Sequence, residues 1–209
     1  MVHFGTEMVA MGTDIFALLV REEKRKKLVR GYELLSFERV PLVPCMGVVA
    51  KLDAPIGHVL PQLFIMNLGR AAYLPNEGVL TLRSKGRLIT LYPDGKVVVG
   101  RAWTEEAARE ALDEVVEMVN RAYAELVRWG PPSEEDVKKA MELGWRDLLA
   151  LLPGINCGKC GRPTCQALAV DVLGGRARLS DCPFLAEEPR RAREVRHALG
   201  DRIARALGL

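Results

Sequence analysis

Four of the five cysteines of the chain lie in the stretch Cys157-Gly158-Lys159-Cys160-Gly161-Arg162-Pro163-Thr164-Cys165 and at Cys182. Their spacing is C-x2-C-x4-C-x16-C. Cysteine thiolates are soft ligands, and a set of four suits either an iron–sulfur cluster or a zinc ion. The stretch therefore predicts a metal-binding loop, which the surrounding residues must fold to support.

Glycine and proline set the expected backbone of this loop. Gly158 and Gly161 follow the first two cysteines, and glycine lets the backbone wrap tightly and turn its N–H groups towards sulfur. The dipeptide Pro163-Thr164 predicts the start of a helix with Cys165 in its first turn. A helix N-terminus at this point would favour an anionic cluster, because the partial charge at that end is positive.

Three kinds of site compete for these cysteines. A structural zinc site usually has two C-x2-C pairs, and only one such pair is present here. Disulfides are disfavoured because no secretory signal is visible, and a thioredoxin-like C-x-x-C motif is expected beside a βαβ pattern, which is missing here. The spacing therefore favours an iron–sulfur cluster, with zinc as the main alternative.

The stretch from Leu152 to Ala169 resembles the four-cysteine [4Fe-4S] domain family. That family's pattern is L-P-G-x-N-C-G-x-C-G-x-x-x-C-x-x-F-A, then a small-residue helix and a fourth cysteine. Residues 147–185 match it, with Leu168 at the phenylalanine position. Members include the large subunit of the corrinoid iron–sulfur protein and the B subunit of the Rnf electron-transport complex. The resemblance implies one [4Fe-4S] cluster, whose ligands would be Cys157, Cys160, Cys165 and Cys182.

Composition and charge describe a chain that can fold around an apolar core. Its 209 residues are 49% hydrophobic, and the formal net charge of +3 does not demand a nucleic-acid partner. No apolar run is long enough to span a bilayer. The most apolar early stretch, residues 8–20, contains Asp14 and lacks a preceding positive region, which argues against a signal peptide. We expect a cytoplasmic protein with no membrane contact.

Residues 1–130 are expected to form an α+β domain built on an antiparallel sheet with packed helices. Apolar and β-branched runs, separated by turn residues, predict the strands. The predicted strands are residues 46–52, 71–74, 79–82, 88–92 and 97–100.

Three helices are expected to accompany these strands. The first begins at Thr13-Asp14 and runs towards Arg30. The second runs from Pro55 to Met66, and Pro61 is expected to kink or shorten it. The third is capped by Thr104, carries apolar residues at helical spacing and ends at Gly130.

Residues 46–128 resemble one repeat of the TATA-box-binding-protein fold. The likeness is carried by residues 88–100, with sequence LITLYPDGKVVVG, and by the following Thr104-Glu105-Glu106-Ala107. A single repeat forms no two-fold saddle, and the sequence has no convincing pair of phenylalanine wedges of the kind that minor-groove binders insert. The resemblance therefore implies a fold, and nucleic-acid binding is disfavoured.

Residues 131–209 are expected to form a small helical iron–sulfur domain, with its core at residues 147–185. Pro131-Pro132-Ser133 is interpreted as the linker, and helices are predicted after Ser133, over 145–152 and over 166–173. The arginine-rich tail, residues 186–209, predicts one basic helix. Its apolar positions Val195, Leu199, Ile203 and Leu207 form one face, which either packs on the body or docks a partner.

The remaining candidate residues form no second site in the sequence. Cys45 is interpreted as a buried core thiol. Lys159 and Arg162 are interpreted as surface charge, or alternatively as residues that raise a cluster potential or steer an acidic redox partner. The three histidines are scattered and form no ligand set; they are His3, His58 and His197.

The sequence predicts a non-catalytic electron carrier or accessory protein rather than an enzyme. It has no phosphate-binding loop, nucleophile elbow or paired-carboxylate motif. Four cysteine ligands would leave no open iron position, so one-electron transfer to a redox partner protein is the expected chemistry. By the resemblance, that partner could be a corrinoid protein needing reductive activation. The alternative is a metal-stabilised interaction module or nucleic-acid-binding module.

Overall fold

The structure is a computed structural model, which describes residues 27–39 and 46–209. It has an α+β architecture with a six-stranded antiparallel sheet in the order β1-β2-β6-β5-β4-β3. The strands are β1 Tyr32–Arg39, β2 Met46–Leu52, β3 Ala71–Leu74, β4 Val79–Ser84, β5 Arg87–Leu91 and β6 Lys96–Ala102. The α+β prediction is confirmed, and so are all five predicted strands and the meander from β3 to β6.

The helices of the described residues follow the strands or connect them. They are α1 Leu60–Ile65, α2 Glu105–Trp129, α3 Glu134–Glu142, α4 Trp145–Leu151, α5 Cys165–Leu173, α6 Pro183–Ala186, α7 Pro189–Leu199 and α8 Asp201–Ala206. Short 3-10 turns cover Gly57–Val59 and Leu179–Asp181. Within residues 27–39 and 46–209, no helix is long and apolar enough to cross a membrane.

Strand β1 is an addition to the predicted sheet. It pairs with β2 at the sheet edge, and the register shifts between Leu34 and Ser36. The extra residue, Leu35, is exposed. Because the bulge places two leucines in succession, the apolar–polar alternation that identifies a strand is lost from the sequence. The predicted helix from Thr13 lies outside the described residues, except for residues 27–30, which are not helical.

One face of the sheet carries the buried core. Alternate residues of β2 and β6, such as Val48, Ala50, Val97 and Val99, are fully buried. Helix α2 packs on β2 and β6 through its own buried apolar stripe. The Thr104 hydroxyl accepts a hydrogen bond from the Ala107 N–H at 3.1 Å, and the helix ends at Gly130, as predicted.

Helix α1 is shorter than predicted. It begins at Leu60, while the residues after Pro55 form only the 3-10 turn Gly57–Val59. Pro61 lies in the first turn of α1, where a residue without an N–H costs no helical hydrogen bond. Pro61 therefore sets where the helix begins and introduces no kink inside it.

The predicted C-terminal helix is divided in two. Gly200 has φ 83°, in the left-handed region, and separates α7 from α8. The apolar positions Val195, Leu199, Ile203 and Leu207 are nevertheless all buried. Of the two alternatives for this face, the structure therefore supports packing on the body of the protein.

Arg202 of α8 anchors the residues that follow α2. Its guanidinium donates to the carbonyl oxygens of Trp129, Gly130 and Pro131 at 3.2, 2.9 and 3.2 Å. It also donates to Gln62 Oε1 of α1 at 2.5 Å. Burial lowers the pKa of Arg202, and the nearby Asp136 carboxylate opposes that effect. One side chain therefore ties the end of α2 to α1 and to the C-terminal helices.

Arg202→Ala is expected to lower the free energy of unfolding by about 3 kcal/mol, because it removes several hydrogen bonds from a largely buried cation. Urea denaturation under anaerobic conditions measures this loss. The control is Arg190→Ala, since Arg190 is 89% exposed and, among the residues that the structure describes, pairs only with Glu194 on its own helix. Its effect is expected to stay below about 0.5 kcal/mol. Equal losses in the two variants would contradict the anchoring role of Arg202.

Candidate metal centre

The four cysteines of the loop differ in exposure. Cys165 and Cys182 are buried, Cys160 is half-buried and Cys157 is exposed. Cys165 is the first residue of α5, and Cys182 directly precedes α6. Cys160, Cys165 and Cys182 thus lie in or against the apolar core, while Cys157 lies at the surface.

The backbone between Asn156 and Cys165 is tightly turned. Gly158 and Gly161 have φ angles of 71° and 78°, and the Gly161 N–H donates to the Gly158 carbonyl at 2.9 Å. Left-handed backbone is readily adopted only by glycine, which confirms the turns predicted from these two residues. Asn156 also has a positive φ, of 50°, and its side-chain oxygen accepts from the Cys165 N–H at 2.8 Å. The asparagine therefore closes the loop on its last cysteine.

Helix α5 begins where the sequence predicts it. The Thr164 hydroxyl accepts from the Ala167 N–H at 3.0 Å, which caps the helix and places Cys165 in its first turn. The N-terminal end of a helix carries a partial positive charge. This end of the helix therefore suits an anionic group bound where the loop meets the helix.

The backbone just before Cys182 is held by hydrogen bonds to residues more than 25 positions later in the chain. Just before it, the N–H groups of Leu179 and Ser180 donate to the carbonyls of Leu207 and Gly208 at 2.8 and 3.3 Å. A Cβ on Gly208 would lie 2.7 Å from Cβ of Arg178, so only glycine allows this close approach. These residues could not be found from the sequence, because backbone pairing leaves no side-chain pattern.

Burial raises the pKa of the Cys182 thiol. The backbone N–H groups of Phe184 and Leu185 oppose this effect, because they stabilise a thiolate. The neighbouring thiols of Cys165 and Cys160 add to the increase. Cys160 and Cys165 therefore both lie within electrostatic reach of Cys182.

Arg162 is a structural residue of the loop and is largely shielded from solvent. It donates to the Cys160 carbonyl at 3.1 Å and to Asp171 Oδ2 of α5 at 3.2 Å. It also reaches the Arg176 carbonyl at 3.1 Å and lies 3.6 Å from Asp181, beside Cys182. The interpretation of Arg162 as plain surface charge is therefore wrong: its guanidinium joins the loop, α5 and the approach to Cys182.

The Asp171 carboxylate receives two arginines. Arg176 and Arg162 both donate to it, and together they lower its pKa.

Lys159, the other cation of the loop, lies with its Nζ 5.9 Å from the centre of the Phe184 ring. Cys45 and His3 lie outside the described residues.

Arg162→Gln is expected to lower the free energy of unfolding by about 2 kcal/mol, because glutamine cannot replace the branched set of charge-assisted hydrogen bonds. Arg176→Gln is the matched control, since it removes the other partner of the same Asp171 carboxylate and Arg176 is 63% exposed. We expect the control to lose less. Urea denaturation compares the two variants, and a larger loss in the control would contradict the loop-joining role of Arg162.

The donor set of the loop consists of thiols alone. Among the residues that the structure describes, no three Cys, His, Asp or Glu side chains come together closely enough to hold one metal ion. Four thiolates nevertheless fit an iron–sulfur cluster chemically, and the left-handed glycines allow the chain to turn around such a group.

Comparison with known proteins identifies the same segment. A family model described as "Putative Fe-S cluster" matches residues 152–184. The large subunit of the corrinoid/iron-sulfur protein of Moorella thermoacetica is 40% identical over 52 residues, which are 25% of this chain and 12% of that protein. No solved structure matches the chain.

Two further relatives share short alignments with the chain. One subunit of the Na(+)-translocating ferredoxin:NAD(+) oxidoreductase complex of Acetobacterium woodii is 56% identical over 34 residues, 16% of this chain and 10% of that protein. The gamma 1 subunit of the acetyl-CoA decarbonylase/synthase complex of Methanosarcina thermophila is 43% identical over 44 residues, 21% of this chain and 9% of that protein. The chain thus spans about a tenth of the length of these relatives. The matches support an iron–sulfur domain around residues 152–184.

Proposed function

We propose that this protein binds one [4Fe-4S] cluster through Cys157, Cys160, Cys165 and Cys182, and that it carries single electrons to a partner protein. The observation that carries the proposal is the C-x2-C-x4-C-x16-C loop, with its two left-handed glycines, in a segment that matches an iron–sulfur family model. When bound, such a cluster supplies one-electron transfer.

The surroundings of the cysteines suit this role. The buried Cys165 and Cys182 belong to the apolar core together with Leu168 and Leu185, which keep water from that side. Cys157 is exposed, and Ile155, two residues before it, is 55% exposed. The loop therefore offers a shielded side and an accessible side, and a redox partner would approach the accessible side at Cys157.

The partner is proposed to be a protein. Two of the relatives are, by their names, subunits of complexes, and a third is a subunit of a corrinoid/iron-sulfur protein. A corrinoid protein that needs reductive activation is one candidate for this chain. An electron carrier or accessory role, without substrate chemistry of its own, fits the thiol-only site.

The two parts of the chain would have different roles. We propose that residues 1–130 form a platform, in which residues 46–128 resemble one repeat of the TATA-box-binding-protein fold, and that residues 131–209 form the cluster-binding unit. Support comes from the meander with α2 packed on one of its faces, and from the capping box between Ser133 and Asp136 that begins the second part.

Anaerobic purification with iron, sulfide and zinc analysis tests the cofactor. We expect about four irons and four sulfides per chain, and a broad visible absorption band that bleaches with dithionite. About one zinc without sulfide or colour, even after anaerobic reconstitution with iron and sulfide, would overturn the cluster proposal. A cluster that no accessible potential reduces would overturn the electron-carrier role alone.

A further inference from the structure

A small cavity at one end of the sheet is lined by three arginines. It lies where the β4–β5 hairpin meets the end of β6 and has a volume of about 230 Å³. Its lining residues are Arg83, Gly86, Arg87, Leu88 and Arg101. None of them belongs to the cysteine centre, and the proposed electron-transfer role makes no use of them.

The cavity has an excess of positive charge. Arg87 donates to Glu110 at 3.1 Å through Nη2, while its buried Nη1 has no hydrogen-bond partner among the described residues. Glu110 is further engaged by Lys85 at 3.3 Å. Within residues 27–39 and 46–209, neither Arg83 nor Arg101 forms an ion pair, and both are exposed. Arg83 and Arg101 thus bring to the cavity two guanidinium groups that have no acidic partner among the described residues, and an anion bound there would balance their charge.

Arg101 has a backbone conformation that arginine seldom adopts. Its φ is 63°, in the left-handed region. It lies at a register shift between β6 and β2. Ala102 pairs with Met46 and Val99 pairs with Val48, so β6 has one more residue than β2 between these two pairs. Such bulges redirect side chains, and strained backbone concentrates at functional sites. Glycine would suit this backbone better, so an arginine here indicates a use for its guanidinium.

We propose that this cavity binds a phosphate group. Guanidinium groups match phosphate oxygens with paired N–H donors, and three of them can neutralise a dianion and satisfy several of its oxygens. A carboxylate has two oxygens and one charge, so it would leave part of this donor set unused. The phosphate comes either from a small phosphorylated molecule or from the backbone of a nucleic acid.

Isothermal titration calorimetry of the full chain, prepared anaerobically, tests the proposal. The probes are inorganic phosphate, pyrophosphate and a short single-stranded oligonucleotide, each at the same ionic strength. Arg83→Gln and Arg101→Gln are each expected to weaken binding by about tenfold or more, the effect of losing a charge-assisted hydrogen bond. The control is Arg121→Gln, an exposed arginine on α2, which should leave binding unchanged.

The outcomes separate the sources of the phosphate and can reject the site. Binding of phosphate or pyrophosphate with this variant pattern supports a small-molecule ligand, and the same pattern for the oligonucleotide alone supports a nucleic-acid backbone. Overturning results are no binding of any probe, equal weakening by Arg121→Gln, or equal competition by acetate.

The variant Arg101→Gly distinguishes a loss of binding from a loss of folding stability. Glycine relaxes the left-handed backbone, so this variant should unfold at the same temperature as the parent or at a higher one, while binding as weakly as Arg101→Gln. Parental affinity in Arg101→Gly would overturn the assignment of Arg101.

Discussion

Cys182→Ala is expected to reduce the iron content from about four atoms per chain to below one, and to remove the visible absorption band. The reason is that three cysteines leave one iron without a thiolate, in a site that offers no other soft donor. The loss should also destabilise the fold, since metal binding is coupled to the folding of small metal-binding units. Iron and sulfide analysis, absorption and urea denaturation measure the three effects.

Two further variants separate ligand loss from damage to the core. Cys157→Ala changes an exposed residue, so it should lose iron as Cys182→Ala does without removing buried packing. Cys45→Ser alters the one cysteine outside the motif and should retain full iron content. Full iron in Cys157→Ala would contradict the four-cysteine ligand set, and iron loss in Cys45→Ser would show that the set had been assigned wrongly.

Gly69→Ala is expected to lower the free energy of unfolding by about 4 kcal/mol and to loosen the packing of α5. Gly69 has φ 74°, and a Cβ there would lie 2.5 Å from the carbonyl oxygen and 2.8 Å from the carbonyl carbon of Leu173. Those atoms are backbone at the end of α5 and cannot turn aside as a flexible side chain would. The cysteine-bearing helix must therefore move away from the turn that precedes β3.

Gly130→Ala provides a control at a glycine with the same φ angle as Gly69. Gly130 also has φ 74°, but a Cβ there would meet nothing within 4 Å. The control should lose only the cost of placing alanine at φ 74° and ψ 175°, a region that is essentially confined to glycine, on the order of 1–3 kcal/mol. Urea denaturation and hydrogen exchange in α5 distinguish the variants. Equal losses would mean that backbone strain alone explains the effect, and that close packing between Gly69 and Leu173 contributes nothing.

Much of the fold could be predicted because its signals are local. The strands of the meander alternate apolar and polar residues, and Thr104 and Ser133 mark helix starts by the hydrogen bonds that hydroxyl groups make there. Strand β1 could not be predicted because its bulge breaks that alternation at Leu35. The division of the C-terminal helix at Gly200 could not be predicted either. A single glycine allows the positive φ angle found there but does not require it.

The candidate site divides in the same way. The cysteines, the glycine turns and the start of α5 follow from residue types at fixed spacing within one short stretch. Arg162 is visible in the sequence as part of the stretch, but its partners Asp171 and Asp181 belong to later segments. Arg202 reaches Gln62 across 140 residues, a separation at which sequence carries no pairing signal.

The pairing of Leu179 and Ser180 with Leu207 and Gly208 has a consequence for biosynthesis. Chains fold progressively as the ribosome releases them, so the turn containing Cys157 and Cys160 emerges well before Gly208 does. Until Gly208 is released, Cys182 lacks the backbone contacts that fix its approach. A nascent chain stalled before that point would present an incomplete thiol set for the proposed cluster, and cofactor insertion would therefore have to wait until residue 208 has left the exit tunnel.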